Sequence, residues 1–206
     1  FPCLAFSLCL CSCVFGIWLV VSAKCLPLGD QYSVCTVAAQ FREGNYEMLT
    51  IDSYEKYLFI HPHQLGLTAL IELTFALFGN GNYVAFEYLN CVGAAVTLYA
   101  GYRITRVLTN RKQAWIYYLL LAAACFPLLF YVVFVYGEIP SITFSALAIL
   151  GFLEYRKQGA GQTRLLWLAF ACVTCALACL VRNNCLLPLL AFVLLLVPTT
   201  LGARTI

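Results

Sequence analysis

The chain has 206 residues, of which 63% are hydrophobic and only 10% charged, with a formal net charge of +3. Soluble domains average about 45–50% apolar and about 25% charged residues, so this composition excludes a soluble globular protein of this length. No basic patch with interleaved aromatics is present, which argues against nucleic acid as a partner.

The remaining class is an all-α, polytopic membrane protein, because helices satisfy their own backbone groups in lipid. The first apolar run, 2–23, is long enough to span a bilayer. Lys24 and the Pro27–Gly29 break end it. An outer loop over 25–82 follows, opening with the only long polar stretch in the chain. It holds Asp30, Glu43, Glu47, Asp52 and Glu55, and both histidines, His61 and His63.

Asp30 opens an amphipathic helix, with Val34, Val37, Ala38 and Phe41 at i, i+3, i+4 and i+7. Gly44-Asn45 stops it. A second short segment, 51–60, carries Tyr54, Tyr57 and Phe59, aromatic residues suited to the headgroup layer. His61-Pro62-His63 then starts an apolar run, 64–78, which is short for a span and has Glu72 in its middle. A charge at the bilayer centre costs about 2.5–3.5 kcal/mol on insertion scales. This run reads as an interfacial or partly re-entrant helix that does not cross, closed by the turn Gly79–Asn82.

Stronger runs follow at 83–102, 114–135, 139–155, 165–181 and 183–200; with 2–23 they make about six spans. Glu87 and Asn90, at the start of the second span, read as buried and paired. Arg103, Arg106, Arg111 and Lys112, then Arg156, Lys157 and Arg164, then Arg204, fall in linkers on one side. The positive-inside rule makes that side cytoplasmic, with the N-terminus inside and Lys24, Arg42, Lys56 and Arg182 outside. If 64–78 crossed with the N-terminus still inside, the eight cations would move outside. A third topology, spanning 64–78 and inverting the protein, also obeys the rule but puts the polar loop and Glu138 on opposite sides. The first topology brings Asp30, His61, His63, Glu138 and Arg182 to one outer face.

Most of the cysteines lie inside apolar runs and act there as small apolar residues. Cys25 and Cys35, in the polar loop, leave a disulfide open. The chain starts without Met and stops just past an apolar run, and reads as a fragment of a longer protein, truncated at its C-terminus, or as one with processed ends.

Each polar residue at the outer face has a functional and a plain reading. Asp30 is a candidate general base or a helix N-cap. Glu138, in the tight Tyr136-Gly137-Glu138-Ile139-Pro140 turn, is a second catalytic candidate or a surface carboxylate. Arg182, between the last two runs, either holds an anionic partner such as a lipid phosphate or snorkels to the headgroups. His61 and His63, at i and i+2, could contribute to a metal site, but no third ligand is placed by the sequence, and interfacial polarity accounts for them.

The order of these features resembles a known family. An Asp lies just past the first span, short amphipathic helices follow, and His61-Pro62-His63-Gln64-Leu65 approximates the HPPL-type motif of mannosyltransferases. The Tyr136-Gly137-Glu138 turn and Arg182-x-Asn184 resemble bacterial members. The chain is similar over most of its length to the membrane-embedded GT-C-fold glycosyltransferases, especially the dolichyl-phosphate-mannose–protein mannosyltransferase-like group. It departs in having a single Asp30 where many relatives carry an acidic pair, and in lacking the later spans.

The resemblance implies inverting transfer of a sugar from a polyprenyl-phosphate donor to a hydroxyl of an acceptor glycan, lipid or protein. It implies a bacterial plasma membrane and an extracytoplasmic site. Asp30 would be the base, Arg182 would stabilise the departing phosphate, and Glu138 would orient groups or help hold a divalent cation. His61, His63, Gln64, Tyr136 and Asn184 would shape the substrate pocket. The competing class is a multi-span transporter or lipid flippase, but the polar groups gather at one face and no internal repeat is visible, contrary to the usual transporter pattern. A purely structural membrane subunit would leave the outer polar loop unexplained.

Overall fold

The computed structural model describes residues 2–49, 57–109, 111–159, 161–187, 189–191 and 194. Residues 51–56 of the expected segment 51–60, much of the expected span 183–200, and Arg204 lie outside the described residues. All regular structure among the described residues is helical. The helices are α1 (Pro2–Ala23), α2 (Asp30–Arg42), α3 (Tyr57–Ile60), α4 (Leu65–Phe78), α5 (Tyr83–Leu108), α6 (Lys112–Ala123), α7 (Phe126–Phe130), α8 (Glu138–Lys157) and α9 (Gln162–Val181).

Three of these are long and apolar enough to cross a membrane: Cys3–Ala23, Tyr83–Leu108 and Gln162–Val181. A fourth crossing is available if α6 and the 126–133 segment, bent by 49°, form one broken span. Helix α8 is 20 residues long but carries Glu138 and Glu154 near its ends, and falls outside that set.

Two expected boundaries change. Helix α5 runs on to Leu108, so Arg103 and Arg106 sit on the helix, not in a linker. Arg103 is held there by Glu154 of α8 at 2.7 Å, an ion pair that lets the helix continue past the apolar layer. The expected span 114–135 breaks at 124–125. Pro127, which cannot donate a backbone hydrogen bond, sits in the first turn of α7, and the chain then passes through a 3-10 turn at 131–133 into extended backbone at Phe134.

Irregular backbone beside lipid must find partners within the protein. Asn90 of α5 donates from Nδ2 to the carbonyls of Val132 and Phe134, at 3.3 and 2.9 Å. Gln31 of α2 accepts from the Val135 N–H at 2.8 Å. These two buried amides allow the chain to unwind there.

The direction of each long helix follows from its contacts. Ala5 clusters with Tyr102 and Leu119, whereas Val20 clusters with Cys91 and Val132, so α1 runs antiparallel to α5. Thr143 bonds Thr97 at 2.9 Å and the Gly93 carbonyl at 3.0 Å, while Glu154 meets Arg103, so α8 runs parallel to α5. A Cβ on Gly151 would press on Phe170 and Ala171, and one on Gly137 would press on Val181, so α9 returns antiparallel to α8. The ends of α1 and α9 and the starts of α5 and α8 therefore share one end of the bundle, called the loop end below. Arg103, Arg106, Arg111, Lys112, Arg156, Lys157 and Arg164 are at the other end.

Helices α2 and α4 pack across the loop end. Val34 and Ala38 of α2 and Leu67, Ile71 and Phe75 of α4 form one core with Phe86, Val135 and Val181. Gly66 lies so close to α9 that a Cβ would collide with the Leu180 carbonyl. Both ends of α4 thus lie at the loop end: its first turn against the end of α9, its last leading through Gly79–Asn82 into α5. Its Glu72 is half-buried. The apolar stripe expected on α2 is the buried one, with Val34, Val37, Ala38 and Phe41 inside.

Candidate functional site

The site is built where the starts of α2 and α8 meet the end of α9. Asp30 is the first residue of α2, and the N-cap position belongs to Gly29, with φ of +57°, a conformation that glycine adopts without strain. No side chain caps this helix end. The cap reading of Asp30 is therefore corrected: its carboxylate is exposed and makes no hydrogen bond among the described residues.

Tyr57, at the start of α3, packs its ring against His61 at 4.9 Å between centroids. Its hydroxyl is buried and has no hydrogen-bond partner. Burial pushes the phenol up to about 12, with the Asp30 carboxylate and Tyr136 adding to the shift. The group stays protonated and is a hydrogen-bond donor near a carboxylate.

His61 is half-buried, and His63 is exposed and stands edge-on to it at 5.8 Å. Pro62 begins the 3-10 turn that carries the pair. Gln64 is buried and ties the turn to α4, its N–H donating to the His61 carbonyl and its carbonyl accepting from the Thr68 hydroxyl at 2.9 Å. His63 lines a cavity of about 540 Å³ between α4 and α9, whose walls include Leu70, Leu73, Leu177 and Leu180 and whose rim includes Asn183.

Glu138 and Arg182 form an ion pair, Oε1 to Nη2, with side chains 31% and 30% exposed. Arg182 follows α9 in extended backbone, its N–H still donating to the Ala178 carbonyl. Gly137 leaves room for Val181 and the Arg182 stem to pass beside α8. The anionic partner expected for Arg182 is thus present within the chain, and Glu138 is not a lone surface carboxylate. Its second oxygen, Oε2, is buried and unpartnered. Tyr136, two residues before it, is half-buried, and Asn184 is exposed.

The chain therefore gathers Asp30, His61, Tyr136, Glu138 and Arg182 at the loop end. Among the described residues no group of three or more His, Cys, Asp or Glu side chains could hold a metal ion. Glu138 is engaged by Arg182 and Asp30 stands alone, so these residues do not fit a divalent cation.

The reading of Glu87 and Asn90 as buried and paired holds in part. Asn90 is bonded through Nδ2, but its Oδ1 is buried and unpartnered. Glu87 is 2% exposed with no hydrogen bond to its carboxyl group among the described residues. It lies beside Cys35, whose thiol is pushed up to about 12 by burial first and by Glu87 second. Cys25 and Cys35 are both free thiols.

Sequence reasoning missed two residues of this region. Gln31 falls on the same stripe as Val34, Ala38 and Phe41, and a polar residue on a buried stripe was the available signal. Nothing in the sequence marks the Tyr57 hydroxyl, because its burial depends on packing against α2. Compared with family models, with curated proteins and with solved structures, the chain matches none.

Proposed function

We propose that the chain is a membrane glycosyltransferase that moves a sugar from a polyprenyl-phosphate donor to an acceptor hydroxyl, with inversion. The observation that carries this reading is the meeting at one bundle end of an unbonded carboxylate, Asp30, with an arginine held in place by an acidic partner, Arg182 with Glu138. The charge bias supports an extracytoplasmic site, since the cations cluster at the opposite end; a bacterial plasma membrane follows from the resemblance alone.

The acceptor oxygen attacks the anomeric carbon as its proton passes to Asp30. The bond between that carbon and the phosphate oxygen breaks, and its electron pair leaves with the lipid phosphate. A guanidinium carries five N–H donors, and the bond to Glu138 Oε1 uses Nη2. The remaining donors are available to the departing phosphate, where developing charge makes them most effective. Glu138 fixes the fork, and the cavity between α4 and α9 offers apolar walls beside it.

Asp30→Asn tests the base. The substitution keeps size and helix compatibility, and no capping bond is lost because Gly29 holds that position. Turnover with a polyprenyl-phosphate sugar should fall by roughly 10²–10⁴-fold, the usual worth of a general base. Near-normal turnover would remove Asp30 from the chemistry and leave Glu138 as the carboxylate to examine.

A further inference from the structure

A mostly apolar cavity of about 720 Å³ lies between α1 and α8, in the half of the bundle remote from the loop end. Both helices pack along α5, which forms its floor. On α1 it extends from Cys3 to Cys13, about 15 Å at 1.5 Å per residue. That is half of the ~30 Å hydrocarbon core of a bilayer, the depth of one leaflet.

The lining residues fall on helical stripes that continue past the cavity. On α5, Val92, Val96 and Tyr99 line it, and the next position of that stripe is Arg103. On α8, Leu147 and Leu150 line it, and the stripe runs on through Glu154 to Lys157. Arg103 and Glu154 meet at 2.7 Å, so an ion pair joins the two stripes one turn beyond the cavity. The Arg103 side chain is 37% exposed and that of Glu154 is 7% exposed, so the guanidinium faces the headgroup layer and the carboxylate sits behind it. The bond to Glu154 uses Nη2, and a guanidinium carries five N–H donors. Arg106 and Arg164 are stacked on rings, over Tyr102 and Trp115 and over Tyr155. Lys157 is exposed and adds the net charge that the neutral Arg103–Glu154 pair does not supply.

This arrangement selects its occupant. A chain one leaflet long fits the apolar walls. A planar guanidinium at the mouth takes phosphate oxygens in a fork. A phosphocholine head would bring its own ammonium up to Lys157, like charge against like. A head whose only charge is the phosphate avoids that clash and gains from the cation.

We infer that the groove between α1, α5 and α8 binds an anionic phospholipid of the leaflet at the cationic end, with one acyl chain in the cavity and the phosphate on Arg103 and Lys157. The site lies away from the loop end and does not depend on the transferase reading.

The test uses the full chain in phosphatidylcholine nanodiscs holding a small fraction of phosphatidylglycerol with a photoreactive diazirine in mid-chain. A phosphatidylcholine with the same diazirine is the matched probe, and labelled peptides are mapped by mass spectrometry after irradiation. The glycerol lipid should label 3–13, 92–100 and 147–150 saturably, and unlabelled phosphatidylglycerol should displace it where phosphatidylcholine does not. It should exceed the choline lipid there by roughly fivefold, the worth of about one cation near the surface. Lys157→Gln should remove most of that preference and leave the melting temperature unchanged, because the side chain is exposed. Val96→Trp fills the groove and should abolish the label there, while labelling on the exposed Tyr117, Leu120 and Leu121 of α6 persists.

Labelling that rises in proportion to the probe and is equal on α6 would mean surrounding lipid only. Equal labelling by the two lipids, or a preference that survives Lys157→Gln, would mean that no headgroup is held. Groove peptides labelled by neither lipid would mean another occupant, such as a second copy of the chain. Each of these overturns the inference, as does full groove labelling in a folded Val96→Trp protein.

Discussion

The Arg182–Glu138 pair can be measured by removing each member alone and then both together. The magnitude follows from burial. Exposed ion pairs contribute about 0–1 kcal/mol, while loss of one member of a buried pair costs about 3–5 kcal/mol. With side chains 30% and 31% exposed, this pair lies between those limits, and solvent screening places its coupling at about 1–2 kcal/mol. Arg182→Ala leaves Glu138 with no partner on either oxygen, since Oε2 already has none, and should cost about 2 kcal/mol. Glu138→Gln keeps an acceptor for the guanidinium and should cost about 1 kcal/mol. The double variant should then cost less than the sum by the coupling energy. Equilibrium unfolding in mixed micelles over a denaturant series reads all of these, and donor-lipid binding is followed on the same proteins. Arg182→Lys should recover only part of the donor affinity, because a point charge cannot be held by Glu138 and a phosphate in one plane. Additivity within about 0.3–0.5 kcal/mol would refute the reasoning, since the two groups would then be independent and Glu138 could not be what orients Arg182.

Asn90 and the position of α4 give further tests. Asn90→Leu removes the donor to the Val132 and Phe134 carbonyls, and stability should fall by about 2–4 kcal/mol, read by the same unfolding assay; a change below about 0.5 kcal/mol would mean those carbonyls are satisfied elsewhere. In a variant depleted of its native cysteines, single cysteines at Gly44 and Asn80 should react with an impermeant reagent from one side of the membrane and a cysteine at Gln158 only from the other. Labelling of Asn80 from the Gln158 side would mean that α4 crosses.

Much of the helical order is legible in residue type and period. The apolar runs and the stripe on α2 mark these helices because lipid and core exclude polar side chains wherever they occur. The break at 124–125 was less legible. Pro127 could have been read as a disruption, but a span with a proline also survives when neighbours supply the lost bonds, and those neighbours, Asn90 and Gln31, come from distant parts of the chain. The extension of α5 to Leu108 depended likewise on Glu154, 51 residues away from Arg103.

The candidate site divides in the same way. Asp30, His61, Glu138 and Arg182 stand out in the sequence because polar residues are scarce in a chain this apolar. Sequence alone therefore marked the long apolar helices, the polar loop and the short set of polar residues within it and at the helix ends. Only the tertiary structure decided their partners. It gave the N-cap to Gly29 and so left Asp30 unbonded, supplied Arg182 with Glu138 instead of leaving it alone, and buried the Tyr57 hydroxyl without a partner. Hydrophobic period is a local property that each segment carries with it. The pairing of a charge and the satisfaction of a hydroxyl depend on which distant segment arrives beside it, and that is fixed only when the helices pack.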